Sequence, residues 1–131
     1  MGPLAATSAV VLDAGALIAL EKGDRKVLAL CKVASTDGAP VVVPAGVVGQ
    51  VWRDGARQAR IARVLGAEGT IVEPLDLELA KLAGALCGHK GTGDVVHASV
   101  VLVARQHHAK IVTSDRSDLE RLDSAVDVIP C

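Results

Sequence analysis

Short apolar runs rich in Val and Ile alternate along this chain with stretches of helical spacing, and no other feature limits the fold as tightly. "VVL" at 10–12, "VVV" at 41–43, "TIVEPL" at 70–75, "KIVT" at 110–113 and "VDVIP" at 126–130 read as strands. Between them, 14–20 reads as a helix, and 25–34 carries Val27, Leu30, Cys31 and Ala34 at helical spacing. Pro44 suits the first turn of a helix after the second strand. "ARQARIARVLG" reads as another helix, stopped by Gly66. Asp76 caps a helix over 77–86 with Leu79, Leu82, Ala83 and Leu86 on one face, and 115–122 forms the last. The Val-rich segment 95–103 is ambiguous, because its composition favours a strand. A run of that length without a turn signal predicts instead a helix buried on most of its surface. Alternating strands and helices predict an α/β fold, a parallel sheet with helices on both faces in three α/β/α layers. The 131 residues suit a single domain, 1–131, with its core at about 10–130.

Composition narrows the function classes. Trp52 is the only aromatic residue, so the interior must be Val, Leu, Ile and Ala, with Trp52 as a core or dimer-interface anchor. Fourteen Lys and Arg against 15 Asp and Glu leave a net charge of −1, so any nucleic-acid contact must be local. Cys31, Cys87 and Cys131 follow neither a disulfide nor a zinc pattern, which predicts free thiols, packed as small hydrophobes, in a reducing cytoplasm. "MGPLAATSAVVLD" lacks the basic region of a signal peptide, and Ala6 stands where a myristoylation signal needs Ser or Thr. The longest apolar stretch, 95–104, is interrupted by His97 and Ser99 and is too short to span a bilayer, so no membrane association is expected.

Chemistry is expected where the strands stop. Asp13 and Asp115 each end an apolar run, and Asp94 precedes the Val-rich helix. Each can be a helix N-cap, its carboxylate accepting a backbone N–H from the first turn. In parallel sheets, however, ligands bind at the carboxyl ends of strands, above all where the strand order reverses. Acids gathered there repel one another unless a cation joins them, and hard ions such as Mg²⁺ use a few carboxylates, water and substrate phosphate.

At these residues the chain resembles PIN-domain ribonucleases, most closely VapC-like toxins of toxin–antitoxin pairs. The resemblance rests on "VVLDAGALIAL", "VVVPAGVVGQVWRDG", "TGDVVHASVVLVARQHHAKIVTSD" and "RSDL", in that order along nearly the whole chain. It implies a five-stranded parallel sheet of order 3-2-1-4-5 and a Mg²⁺- or Mn²⁺-dependent endonuclease acting on single-stranded or structured RNA. It further implies a cognate antitoxin and a homodimer. By carry-over Asp13, Asp94 and Asp115 hold the metal, with Asp118 assisting. Thr113 and Ser114 match the polar pair before the last acid, where a hydroxyl orients a carboxylate or phosphate, or else bonds the helix start.

The sequence departs from that pattern twice. Gln50 stands where the family has Glu; its amide oxygen can coordinate but brings no charge. His97 stands where many relatives carry a second acid, as an outer ligand, a proton carrier or a structural histidine. These departures leave open a catalytically weak PIN-like binding module that acts through protein partners. Arg53, Arg57 and Arg60 form a helical row, either a solvated face or a contact for phosphate or an acidic antitoxin segment. Asp54 is expected to face solvent. A phosphoacceptor or haloacid-type phosphatase also uses an Asp after its first strand, but needs an acid two residues later, where this chain has Gly15.

Overall fold

The computed structural model describes residues 9–131; the leader reading of residues 1–8 lies outside the described residues. The elements follow the order β1 (Val10–Leu12), α1 (Ala14–Glu21), α2 (Arg25–Thr36), β2 (Val41–Pro44), α3 (Ala45–Val51), α4 (Ala59–Leu65), β3 (Thr70–Glu73), α5 (Leu77–Lys90), α6 (Val95–His107), β4 (Lys110–Thr113), α7 (Arg116–Leu122) and β5 (Val128–Pro130). All strand pairs are parallel, and the sheet order is β3-β2-β1-β4-β5.

That order follows from right-handed crossovers taken first in one direction and then in the other. From β1 the chain steps outward through β2 to the β3 edge, then returns across the sheet to place β4 on the other side of β1. The reversal therefore lies between β1 and β4, where Leu12 pairs with Val112. One residue further on, Asp13 and Thr113 stand side by side at the carboxyl rim.

The inner strands are buried on both faces, as parallel strands covered by helices must be. Val11, Leu12, Val42, Val43, Ile111 and Val112 are wholly inaccessible. Edge strand β3 is different, with Ile71 and Val72 exposed. Helices α2, α3 and α4 pack around α1, which lies on β1 and β4, while α5, α6 and α7 pack together and meet the sheet through α6.

The Val-rich segment is helical, as its length required. Ala98, Ser99, Val100, Val101, Val103 and Ala104 of α6 are buried, and the Ser99 hydroxyl is satisfied by donating to the Val96 carbonyl at 2.7 Å. A helix supplies its own backbone hydrogen bonds, so β-branched residues can cover most of its surface without strand partners.

Four local expectations need correction. Pro44 closes β2 with extended backbone (ψ 135°) and is the N-cap of α3 rather than part of its first turn. Helix α4 begins at Ala59, later than the sequence pattern suggests, because buried Gln58 organises the preceding loop. Its Oε1 accepts the N–H groups of Arg53 (2.9 Å) and Asp54 (3.1 Å), and its Nε2 donates to Val51 (2.9 Å). Helix α5 continues to Lys90 and ends at Gly91 in the left-handed region (φ 71°). On it Ala83 and Cys87 are buried, with Leu79 and Leu86 against the core, whereas Leu82 is 53% exposed at the edge of that face. Trp52 is 37% exposed and no core residue; its ring lies over Gly55, where a Cβ would come within 2.9 Å.

The three cysteines are unpaired, with Cys87 buried, Cys31 half-buried and Cys131 exposed, so the last is no packed hydrophobe. No helix among the described residues is long and apolar enough to cross a membrane.

Candidate active site

Asp13 emerges from β1 into a place closed to solvent, its residue surface 1% exposed. One carboxylate oxygen, Oδ1, accepts the Ala16 N–H at 3.0 Å and caps α1. The other, Oδ2, accepts the Thr113 hydroxyl in a short hydrogen bond. Thr113 is equally buried, and its Oγ1 also accepts the Asp115 N–H at 2.8 Å. A single hydroxyl thus joins two strand ends that are a hundred residues apart in sequence. Thr113 both orients a carboxylate and fixes a helix start, so the two sequence alternatives hold together.

Asp115 holds the N-cap position of α7, yet its side chain makes no capping hydrogen bond. The structural explanation that suits Asp13 therefore fails for Asp115, whose carboxylate is 44% exposed and open to a ligand. Asp94 does cap α6, with Oδ1 accepting the His97 N–H at 2.9 Å. Its Oδ2 lies 3.0 Å from Nδ1 of the His97 ring. The far ring nitrogen, Nε2, lies 3.8 Å from Asp115 Oδ2. His97 thereby links Asp94 on α6 to Asp115 at the start of α7.

Asp118, exposed in the first turn of α7, shares a cleft of 140 Å³ with Thr92, Asp94, His97, Arg121 and Leu122. Sequence reasoning missed Arg121; its one signal is a position three residues after Asp118 on a helix that starts at the rim. Ser114 is exposed, and its backbone and side chain press on α1. A Cβ at Gly15 would meet Ser114 Oγ at 2.0 Å and its backbone N at 3.1 Å. That close approach leaves no room for the second acid that a phosphatase of the haloacid type would need at Gly15. In an ordinary helix Gly→Ala stabilises by about 1 kcal/mol. Gly15→Ala is expected to do the reverse, costing about 1–3 kcal/mol through overpacking, as urea unfolding would measure.

The remaining sequence candidates make none of the hydrogen bonds or ion pairs described for this group. Gln50 is exposed near the end of α3 and takes no part in the contacts that join the acids. The helical arginine row does not form, because 52–58 is a loop. Arg53 turns back on α3, donating to the carbonyls of Trp52 (2.7 Å) and Gly49 (3.2 Å). Arg57 is largely exposed beside Asp54, at 3.7 Å. Arg60 donates to the Glu21 carbonyl at 3.0 Å and pins the loop after α1.

Burial dominates the electrostatics. Desolvation pushes the Asp13 carboxyl above the ordinary aspartate range, against the pull of the Thr113 and Ala16 donors, and the nearby Asp115 charge adds to the rise. A raised folded-state pKa means that the folded protein binds the proton more tightly than the unfolded chain. This contribution to stability is complete below the ordinary aspartate pKa and is lost as pH rises through the raised one. Metal-free protein is therefore expected to lose stability on passing upward through that window. Asp13→Asn is expected to remove that part of the slope, as urea midpoints across pH would report.

The donor set fits a divalent cation at the Asp13 and Asp115 end. A desolvated carboxylate beside a second, uncommitted one is the arrangement that a hard cation relieves. Both Asp94 oxygens are engaged by His97, as both Asp13 oxygens are by Ala16 and Thr113, which leaves Asp115 as the acid with no hydrogen bond to its side chain. Among the described residues no three His, Cys, Asp or Glu side chains already close on one point. Water or substrate phosphate would have to complete the coordination.

No protein-family model matches this chain, and neither does any curated relative. Solved structures do resemble it. One is VapBC2 from Rickettsia felis bound to a DNA fragment from the promoter, with TM-score 0.67 and 12% identity over 94% of this chain and 98% of that one. Another is FitAB bound to the IR36 DNA fragment, with TM-score 0.59 and 15% identity over 92% and 94%. FitAcB from Neisseria gonorrhoeae gives 0.58 and 16% over 92% and 96%. At such identities the likeness is one of fold, and it spans both chains almost completely. With its 3-2-1-4-5 parallel sheet and an acidic rim at the reversal point, this chain shares the fold found in the VapBC2, FitAB and FitAcB structures.

Proposed function

We propose that this protein is a Mg²⁺- or Mn²⁺-dependent endoribonuclease that hydrolyses phosphodiester bonds of single-stranded RNA, as the toxin of a toxin–antitoxin pair. One observation carries the reading. Asp13 and Asp115, remote in sequence, are tied at the strand-order reversal by the Thr113 hydroxyl, which donates to the Asp13 carboxylate and accepts the Asp115 backbone N–H, while His97 lies between the Asp115 and Asp94 carboxylates. The fold shared with chains of VapBC2 and FitAB supports it, as does the case for an antitoxin partner. The homodimer implied by the sequence resemblance belongs to the same proposal.

When bound, the divalent ion polarises the scissile phosphate and favours attack by water. Asp13 and Asp115 hold that ion, and Thr113 keeps the Asp13 carboxylate turned toward the rim. Arg121 lies where a guanidinium can meet a phosphate oxygen in the same cleft. Arg57, exposed on the 52–58 loop, is free to meet RNA or an acidic antitoxin segment, whereas Arg53 is committed to the end of α3.

The test is incubation of folded protein with single-stranded RNA and Mn²⁺. Endonucleolytic fragments are expected, absent with chelator and absent for Asp13→Asn. RNA left intact by folded wild-type protein with either ion would instead favour the binding module. That second reading draws support from Gln50, which is uncharged, exposed and outside the contacts that join the acids.

A further inference from the structure

His97 is held in a way that an N-cap alone does not require. Its backbone N–H bonds Asp94 Oδ1 at 2.9 Å, and its ring Nδ1 lies 3.0 Å from Oδ2 of the same carboxylate. A carboxylate only accepts, so Nδ1 beside it carries a proton, and in the neutral form of the ring, the form that binds a metal, the lone pair is on Nε2. The side chain is 19% exposed, and its ring is held by the contact with Asp94 Oδ2. Its Nε2 faces Asp115 Oδ2 at 3.8 Å, which is too long for a hydrogen bond. That separation suits two ligands of one ion, since bonds of about 2.0–2.2 Å put neighbouring ligand atoms roughly 3–4 Å apart. A carboxylate that accepts from one ring nitrogen while the other nitrogen is aimed at a metal position is the usual outer support of a metal-binding histidine.

We infer that His97 Nε2 is a direct ligand of the divalent ion in this protein, alongside Asp115, and that Asp94 orients the imidazole instead of binding the ion. The inference rests on the reading of the rim as a metal centre and assigns a chemical preference to it. An imidazole among the donors favours first-row transition ions, with Co²⁺ and Zn²⁺ above Mn²⁺ and all three above Mg²⁺. An acid at position 97 would tilt the site back toward Mg²⁺. The substitution of His for an acid is then a change of metal and not a loss of the site.

The test uses the full chain loaded with one equivalent of Mn²⁺, read by electron spin-echo envelope modulation, which detects a directly bound ¹⁴N. Nitrogen coupling is expected in the wild type and is expected to vanish in His97→Ala and His97→Asp. Asp94→Asn is expected to keep the coupling while Mn²⁺ affinity falls about 10- to 100-fold, the usual effect of losing an outer-sphere partner. His97→Asp is expected to bind Mg²⁺ more tightly than the wild type does. Bound Mn²⁺ without nitrogen coupling would overturn the inference and leave an all-oxygen nuclease site standing. So would coupling that persists in His97→Ala, which would trace it to another histidine. Failure of the folded wild type to bind Mn²⁺ at all would overturn both the inference and the metal-dependent reading. Absence of coupling in the wild type decides without any variant, and if His97→Ala fails to fold, His97→Asp carries the same assignment.

Discussion

Asp115→Asn is expected to abolish RNA cleavage while the fold and its stability remain. The carboxylate makes no helix cap and is 44% exposed, so its replacement by an amide of the same shape removes no hydrogen bond and only the 3.8 Å pairing with His97. Its backbone N–H still bonds Thr113 Oγ1, because that bond does not involve the side chain. Stability is expected to stay within about 0.5 kcal/mol, as for other exposed substitutions. It should rise if anything in metal-free protein, because the negative charge beside buried Asp13 is gone. Activity should fall further than the roughly 10- to 100-fold typical of losing an outer-sphere partner. The pair of measurements is RNA cleavage with Mn²⁺ and urea unfolding of the same preparation. A variant that unfolds easily but still cuts RNA would assign Asp115 a structural role.

Thr113→Val should have the largest effect on stability. Valine matches threonine in shape, so packing is kept and only the hydroxyl is lost. Two buried groups would then be left without a partner, the Asp13 Oδ2 and the Asp115 N–H. An unsatisfied buried group costs about 1–3 kcal/mol, and more when it is charged. A loss of at least about 2 kcal/mol is therefore expected, summed over the two groups. The Asp13 carboxyl should shift further upward, because Thr113 supplies the stronger of the two hydrogen bonds that oppose desolvation. Thr113→Ser keeps the hydroxyl and should restore most of both properties. Urea midpoints for the three proteins, with cleavage measured beside them, check this. A Val variant as stable as the wild type would mean that the short contact to Asp13 contributes nothing.

Much of this architecture was legible in the residues. Val-rich runs alternating with helical spacing required a covered parallel sheet, and position alone placed Asp13 and Asp115 at carboxyl ends. What misled sequence reasoning was local. The arginines stand at helical spacing, but Gln58 buries its amide and winds 52–58 into a loop, so the row does not form. Nothing in a lone Gln announces that it will satisfy three backbone groups. Arg121 was overlooked because a basic residue late in a short helix reads as a complement to the helix dipole.

Sequence by itself determined the order and type of the elements, the strand-end acids and the two departures at Gln50 and His97. Those are properties of single residues and of short periods, and they need no knowledge of what lies opposite. Tertiary structure alone decided which acids are caps and which are open, and that His97 spans two of them. It also decided that Thr113 joins strands β1 and β4. A carboxylate's role depends on the donors that reach it, and here the deciding ones come from across the sheet or from a neighbouring helix, distances that no local pattern encodes.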